Sequence, residues 1–297
     1  MQNKGSNLFL SGFTFVRNAM KFDYPVVESI TSILPIVDEM IVLLGNSDDE
    51  TEALIQSIDS PKIKIFHSVW DDSLREGGRV LADQTNKAMQ HISPNADWAF
   101  YMQADEVLHE KYHVNILQKL KENTGNAEIE GFLFDYVHFY GDYNFVADSR
   151  KWYRNEIRII RPHIGVNSWK DAQGFRIGER KLHVKKIGAA IYHYGWVKPP
   201  ELQQAKQAYF HQLWHTDAWM KENIPQTAQF DYSKIDSVKR FEGTHPVVML
   251  EKVQHQFWKV EIDPNKKRLS FKTKLLAVIE KLTGWRVGEY KNYRLLK

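Results

Sequence analysis

The sequence predicts an α/β domain built on a mostly parallel sheet, and three observations carry that expectation. Short apolar, β-prone runs alternate with helical patterns through the first hundred residues. One of those runs, Met40 to Leu44, is apolar without interruption, as a strand buried on both faces must be. Each run also ends in a polar or glycine-bearing turn, where an open α/β sheet exposes its carboxyl ends to ligand.

The first strand is Leu8 to Val16, which ends in Arg17-Asn18. Asp23 and Pro25 then offer a helix cap and a first-turn proline, and Val26, Val27, Ile30, Ile33 and Leu34 recur at helical spacing. Met40 to Leu44 breaks at Gly45-Asn46-Ser47, and Asp48 opens a helix through Ile58. Ile63 to Phe66 is a third strand, Thr85 to Ile92 a helix, and Trp98 to Met102 a fourth strand running into Gln103-Ala104-Asp105-Glu106. Further strands are expected at Gly131 to Val137, Trp152 to Arg161 and Ala189 to Tyr194. Pro199-Pro200 then punctuates the chain before a long amphipathic helix from Glu201 to Asn223. The division expected is a catalytic domain over 1–199 and a helical extension over 200–297.

Composition narrows the function classes. A hydrophobic fraction of 43% in 297 residues supports a sizeable core. The net charge of +3 is too small to imply a nucleic-acid partner, and none is expected. With no cysteine, thiolate metal sites, disulfides and a cysteine nucleophile are excluded. The polar start, Met1 to Ser6, is unlike a signal peptide, and no apolar run has the length of a membrane span, so a soluble cytoplasmic protein is expected. From Asn265 to Lys297, ten Lys or Arg stand against two Glu, with Leu275, Leu276, Val278, Ile279 and Leu282 forming an apolar face. Such a helix can lie on an anionic membrane surface, giving peripheral contact with its inner face. The simpler arrangement, Leu and Ile on the core with Lys in water, is slightly favoured.

Asp105 is the residue around which chemistry gathers. A carboxylate at a strand end can hold a hard divalent cation whose shell is completed by diphosphate oxygens. Alone, it reads more readily as the cap of a helix beginning near Glu110. Four features in order change that balance: Phe13-Thr14-Phe15-Val16-Arg17-Asn18, then Leu44-Gly45-Asn46-Ser47-Asp48-Asp49. Next come Gly77-Gly78-Arg79 with Ala82-Asp83-Gln84-Thr85-Asn86, and last Gln103-Ala104-Asp105. Over roughly residues 7 to 200 this resembles the family 2 glycosyltransferases of the GT-A fold, of the kind that builds bacterial cell-surface glycans.

The resemblance implies a GT-A-like sheet flanked by helices, and transfer from a nucleoside-diphosphate sugar, a UDP-sugar first, to a hydroxyl of a glycan or lipid-linked glycan. It implies that Thr14, Phe15 and Arg17 line the nucleotide pocket and that Asn46 approaches the base or ribose. Asp83 and Asn86 would face the pyrophosphate or base, with Gly78 permitting a close backbone approach. Two positions depart from the family pattern. Leu44 stands where the family commonly has an acidic residue for the base. Gln103 replaces the first Asp of Asp-x-Asp, and an amide binds a cation weakly, so Asp105 becomes the principal ligand of Mn or Mg.

His193, at the end of Ile191-Tyr192-His193-Tyr194-Gly195-Trp196, is the candidate second ligand, against the alternative of a histidine satisfied by backbone. For the base that an inverting transfer needs, the candidate is Asp171 in Ser168-Trp169-Lys170-Asp171-Ala172, with Glu156 and Glu179 behind it. An ion pair with Lys170 is the ordinary alternative for Asp171. Two competing functions stay open. One is a nucleotide-sugar hydrolase or pyrophosphatase, and the other a non-catalytic carbohydrate-binding protein that keeps the fold. No Gly-x-Gly-x-x-Gly follows the first strand, which argues against a nicotinamide-dependent dehydrogenase.

Overall fold

Alternation along the first hundred residues becomes a parallel half-sheet. In a computed structural model, residues 8–296 are described apart from 72, 75 and 224–226, so the polar start lies outside the described residues. The order is β1 (Leu10–Val16), α1 (Val26–Ile33), β2 (Glu39–Leu44), α2 (Thr51–Gln56), β3 (Ile63–His67), α3 (Arg79–Met89) and β4 (Trp98–Tyr101). All four strands run parallel in the order β3-β2-β1-β4.

The side-chain period of two explains why this half is covered on both faces. Met40, Val42 and Leu44 of β2 enter one core with Trp98 and Phe100 of β4, while Ile41 and Leu43 enter the other with Ala99 and Tyr101. α1 follows Pro25 with no side-chain cap, so the cap expected from Asp23 does not form, whereas α2 and α3 are preceded by a side-chain hydrogen bond and by left-handed glycines. Asp49 accepts from the Thr51 amide at 3.0 Å before α2, and Gly77 and Gly78, at φ of 65° and 69°, precede α3.

Beyond β4 the sheet changes direction. It continues through β5 (Glu106–Leu108), α4 (His113–Asn123), β6 (Gly131–Ala147), β7 (Asn155–Ile160), β8 (Val166–Trp169), β9 (Gly174–Ile177) and β10 (Arg180–Val197). β7 runs antiparallel between β4 and β6, whereas β6 and β10 run parallel to each other. The expected α/β class with helices flanking a central sheet is the one observed, with its second half of mixed direction. β6 and β10 far exceed the expected 131–137 and 189–194. Most of their interleaved Tyr and His are buried among aromatic neighbours, whereas Lys185 and Lys186 are at least partly exposed.

β5 is only three residues long and leaves no pattern in the sequence, yet it sets the geometry of the cavity at the strand ends. It pairs antiparallel with β10, placing Glu106 opposite His193.

The remainder comprises α5 (Pro200–Gln212), α6 (Asp217–Asn223), β11 (Val238–Arg240), α7 (Leu250–Gln254), α8 (Phe271–Thr283) and β12 (Tyr293–Leu295). The helix expected over 201–223 is therefore two, parted by a turn over 213–216 that turns Leu213 and Trp214 inward. The segment after Pro199 is not purely helical either, since β11 adds to β6 and β12 to β10.

α8 divides its apolar residues. Leu276, Ala277 and Ile279 are half-buried, whereas Phe271, Leu275, Val278 and Leu282 form an exposed stripe continued by Trp285. The expectation that its leucines all pack on the core holds for one side only. Among the described residues no helix is long and apolar enough to cross a membrane.

Candidate active site

The turn Gln103-Ala104-Asp105-Glu106 sends its two carboxylates in opposite directions. Glu106 turns inward and is fully buried against Arg158 of β7, which is also fully buried. Arg158 donates to both carboxylate oxygens, at 2.8 and 2.7 Å, and the Tyr136 hydroxyl and Gln103 amide donate to the same group at 2.6 and 3.2 Å. The guanidinium lies 5.3 Å from the ring centroids of Tyr101 and Tyr136 and donates to the carbonyls of Ile157 and Gln173. Four strand segments and the hairpin beyond β8 are thereby held to one bidentate pair.

Asp105 points the other way, into a cavity of about 390 Å³ at the carboxyl ends of the parallel strands. The β5–β10 pairing brings it to His193 and Gly195. The Tyr194 amide donates to the Asp105 carbonyl at 2.8 Å, and His193 Nε2 lies 3.7 Å from Asp105 Oδ2. A Cβ at Gly195 would collide with Asp105 Oδ2 and come within 2.8 Å of His193 Nε2, so the glycine leaves open the space both groups face. Asp105 does not cap the turn near Glu110, because the His109 side chain accepts from the Lys111 amide there.

The tautomer of His193 is set by its neighbours. His138 stands opposite it on β6, with the two Nδ1 atoms 3.2 Å apart, and His138 Nε2 is 2.8 Å from the Tyr153 carbonyl. A carbonyl only accepts, so His138 Nε2 carries the hydrogen and its Nδ1 is bare. His193 Nδ1 must then donate, leaving Nε2 as an acceptor facing Asp105. Burial pushes both imidazoles toward the neutral form, His138 to about 3. A backbone-satisfied His193 is thus not what forms.

Two acceptors facing one space require a positive charge, and Lys206 of α5 supplies one. Its Nζ donates to Asp105 Oδ2 at 3.1 Å and to the Gly195 carbonyl at 2.8 Å. Burial alone would raise the Asp105 carboxyl; the positive neighbours around it, Lys206 first among them and Lys198 included, together outweigh burial and hold Asp105 well below the usual carboxylate range. Lys198 is fully buried nearby with its Nζ on the Asp23 carbonyl, and burial lowers it to about 7.

Sequence reasoning missed Lys206, Lys198, His138 and Arg158. Lys206 lies in the segment after Pro199, expected as a separate helical extension, and Arg158 in the strand expected over 152–161, with no local pattern that marks either. The expectation of Mn or Mg at Asp105 and His193 therefore meets a different arrangement. Among the described residues no group of three or more His, Asp or Glu converges to hold a metal. The one carboxylate oxygen facing His193 is held by an ammonium, beside which a divalent cation would be repelled. The residues present do not fit a resident metal.

Of the other expected site residues, Phe15, Arg17, Gln103 and Asp171 line the same cavity as Asp105 and His193. Phe15 and Trp70 make one wall, ring centroids 5.8 Å apart, with the Arg17 guanidinium 5.4 Å over Trp70. Phe210, Leu213 and Trp214 line the same cavity.

The remaining expected residues stand outside that lining. The buried Thr14 hydroxyl donates to the Phe15 carbonyl. Asn46 holds its neighbours, its carbonyl accepting from Arg17 Nε and its side chain from the Trp70 amide. Asp83 pairs with Lys87 one turn along α3 at 2.7 Å, and Asn86 accepts from the Ser168 amide, tying α3 to β8. Gly78 does permit a close approach, but of Trp214, whose ring a Cβ there would meet at 2.9 Å.

Asp171 sits on the β8–β9 hairpin between Lys170 and Ala172, both left-handed at φ of 55° and 64°. Such backbone costs about 1–2 kcal/mol per non-glycine residue, and here it sets the direction of the hairpin tip. Burial raises the Asp171 carboxyl. A second cavity of about 400 Å³ begins on its other side, sharing Trp152, Tyr153, Asp171 and Gln173 with the first and walled by Trp169, Tyr290 and Tyr293. Glu156 borders only this second cavity, and burial pushes it up to about 8. Glu179 is exposed, 3.8 Å from Arg176.

No protein-family model and no curated protein matches the chain. Solved structures resemble the chain at low similarity. Staphylococcus aureus TarS matches 74% of this chain at 13% identity with a TM-score of 0.40. Glucosyl-3-phosphoglycerate synthase of Mycobacterium tuberculosis, solved with Mg2+ and uridine diphosphate, matches 44% at 18% identity and a TM-score of 0.29. The chain spans 41% of the TarS structure and 44% of the synthase structure.

Two stability predictions arise from these buried charges. Arg158→Met leaves Glu106 buried and unpaired, and should cost about 3–5 kcal/mol in chemical denaturation; a loss below about 1 kcal/mol would contradict the role given to the pair. Glu156 has a folded pKa above its unfolded value near 4.5. The unfolded chain therefore binds fewer protons between that value and about 8, and its contribution to stability is lost as pH rises through the window. Glu156→Gln should flatten that decline, by at most about 1.4 kcal/mol per pH unit, with an unchanged pH profile as the opposing result.

Proposed function

We propose that the protein is an inverting glycosyltransferase that moves a sugar from a nucleoside-diphosphate sugar, a UDP-sugar first among donors, to a hydroxyl of a glycan or lipid-linked glycan. The observation that carries this reading is the position of Asp171 on the border of two cavities, with the Asp105 cluster in one and an aromatic-walled space in the other. The donor would occupy the first cavity, its base against Phe15 and Trp70 and its diphosphate beside Asp105, His193 and Arg17. The acceptor would enter the second, with a sugar ring over Trp169 or Tyr290. Residues 1–199 would then form the catalytic body, and the segment over 200–297 would complete both walls.

The chemistry is a single displacement. The acceptor oxygen forms a bond to the anomeric carbon as that carbon's bond to the diphosphate oxygen breaks. The electron pair leaves on the diphosphate, and the acceptor proton passes to the Asp171 carboxylate, which burial makes more basic than an exposed one. Asp171→Asn should bind donor as the unchanged protein does but lose transfer by about 10²-fold or more. The assay follows nucleoside diphosphate released from a sugar donor, with and without a hydroxyl acceptor. Release to water that no acceptor accelerates would instead favour a hydrolase, and donor binding without any release a carbohydrate-binding protein.

A lipid-linked acceptor is supported by α8. Its exposed Phe271, Leu275, Val278 and Leu282 lie among Lys272, Lys274 and Lys281, a pattern suited to an anionic bilayer. The protein should co-sediment with phosphatidylglycerol vesicles and not with phosphatidylcholine ones, and Leu275→Ser with Leu282→Ser should weaken this without lowering the melting temperature. Equal binding of the double variant and the unchanged protein would remove this support.

A further inference from the structure

We infer that the Lys206 ammonium takes the place of a divalent cation in this site, so that the protein binds a nucleoside diphosphate, and carries the charge of the departing one, without metal. The inference rests on the glycosyltransferase reading and specifies how its leaving group is stabilised.

Three observations carry it. First, the site is built for one positive charge: His193 Nε2 is an acceptor by its tautomer, Asp105 Oδ2 is an acceptor 3.7 Å away, and Gly195 adds its carbonyl. Second, that charge is present in the chain. Lys206 reaches the space from α5, is largely buried, and uses two of its three N–H donors on Asp105 and Gly195. The third donor remains for an oxygen of a ligand in the cavity that Lys206 helps to line.

Third, the residue that would strengthen a metal site is absent while the residues that weaken one are present. Gln103 stands two positions before Asp105 and directs its amide toward the Ala172 carbonyl, contributing no second carboxylate. Lys198 adds a second buried amine near Tyr24, whose ring centroid lies 5.0 Å from Lys198 Nζ and 4.8 Å from Lys206 Nζ. A metal entering beside Asp105 would have to displace Lys206 and leave an ammonium buried without its carboxylate.

A diphosphate behaves differently, because its oxygens accept from Lys206 while Asp105 and Gly195 hold that ammonium in place. As the bond from the anomeric carbon to the diphosphate breaks, negative charge grows on the leaving oxygens next to a fixed positive charge that neither gains nor loses a proton. The acceptor proton still goes to Asp171, so the step balances with no further reactant.

The test is calorimetric binding of uridine, cytidine, guanosine, adenosine and thymidine diphosphates to the full chain, in excess EDTA and in Mn. At least one should bind in EDTA within about twofold of its affinity in Mn. Lys206→Met should lose about tenfold or more of that metal-free affinity, and Lys206→Arg should retain most of it, which separates lost charge from lost folding. Binding that EDTA abolishes and Mn restores would overturn the inference while leaving the glycosyltransferase reading intact, as would Lys206→Met binding as tightly as the unchanged protein in EDTA. Failure of every nucleotide to bind under either condition would overturn both.

Discussion

The buried pair of Glu106 and Arg158 is the interaction on which the site depends. A buried ion pair adds little over apolar side chains of the same volume, but breaking it leaves a charge in a medium that cannot solvate it. The pair therefore acts as a lock. Glu106 cannot turn outward while Arg158 holds both of its oxygens, and Arg158 is itself fixed by two carbonyls and two tyrosine rings. With Glu106 committed inward, the adjacent Asp105 faces the cavity. The same turn starts β5, whose pairing with β10 brings His193 and Gly195 alongside.

From that point the electrostatics are nearly forced. Tyr153 sets the tautomer of His138, His138 sets that of His193, and the bare Nε2 joins Asp105 in calling for a cation. α5 meets the demand with Lys206. The strand-end carboxylate alone marks the cavity but not the charge beside it, which comes from a lysine far along the chain. Lys206 also joins the segment after Pro199 to the strand-end cluster, because its ammonium is held by Asp105 and the Gly195 carbonyl.

The parallel half of the sheet is legible in the sequence because the physics there is local. A strand covered on both faces must be apolar throughout, and β2 and β4 are. Asp105, Gln103, Phe15 and Arg17 were found because strand ends in such a sheet face ligand. Asp83 pairs with Lys87 within its own helix, whereas Asn46 and Asn86, polar residues near the same ends, each tie neighbouring segments together through partners far away in sequence. Lys206 and Arg158 were invisible for the same reason. A lysine in an amphipathic helix and an arginine in a strand are ordinarily solvated, and only the register of β5 on β10 and the packing of α5 make them otherwise. Gly78 was recognised as a position of close approach, but the group approaching is the Trp214 ring.

The most direct test of a nucleotide-sugar site between Asp105, His193 and Lys206 is ligand-induced stabilisation by a panel of nucleoside-diphosphate sugars, measured on the unchanged protein and on Gly195→Ala. The added methyl would intrude on the space that Asp105 Oδ2 and His193 Nε2 face. At least one donor present at about a hundredfold its dissociation constant should stabilise the unchanged protein by about 2.7 kcal/mol, and Gly195→Ala should lose most of that shift. No stabilisation by any nucleotide sugar, or an equal shift in Gly195→Ala, would contradict the account.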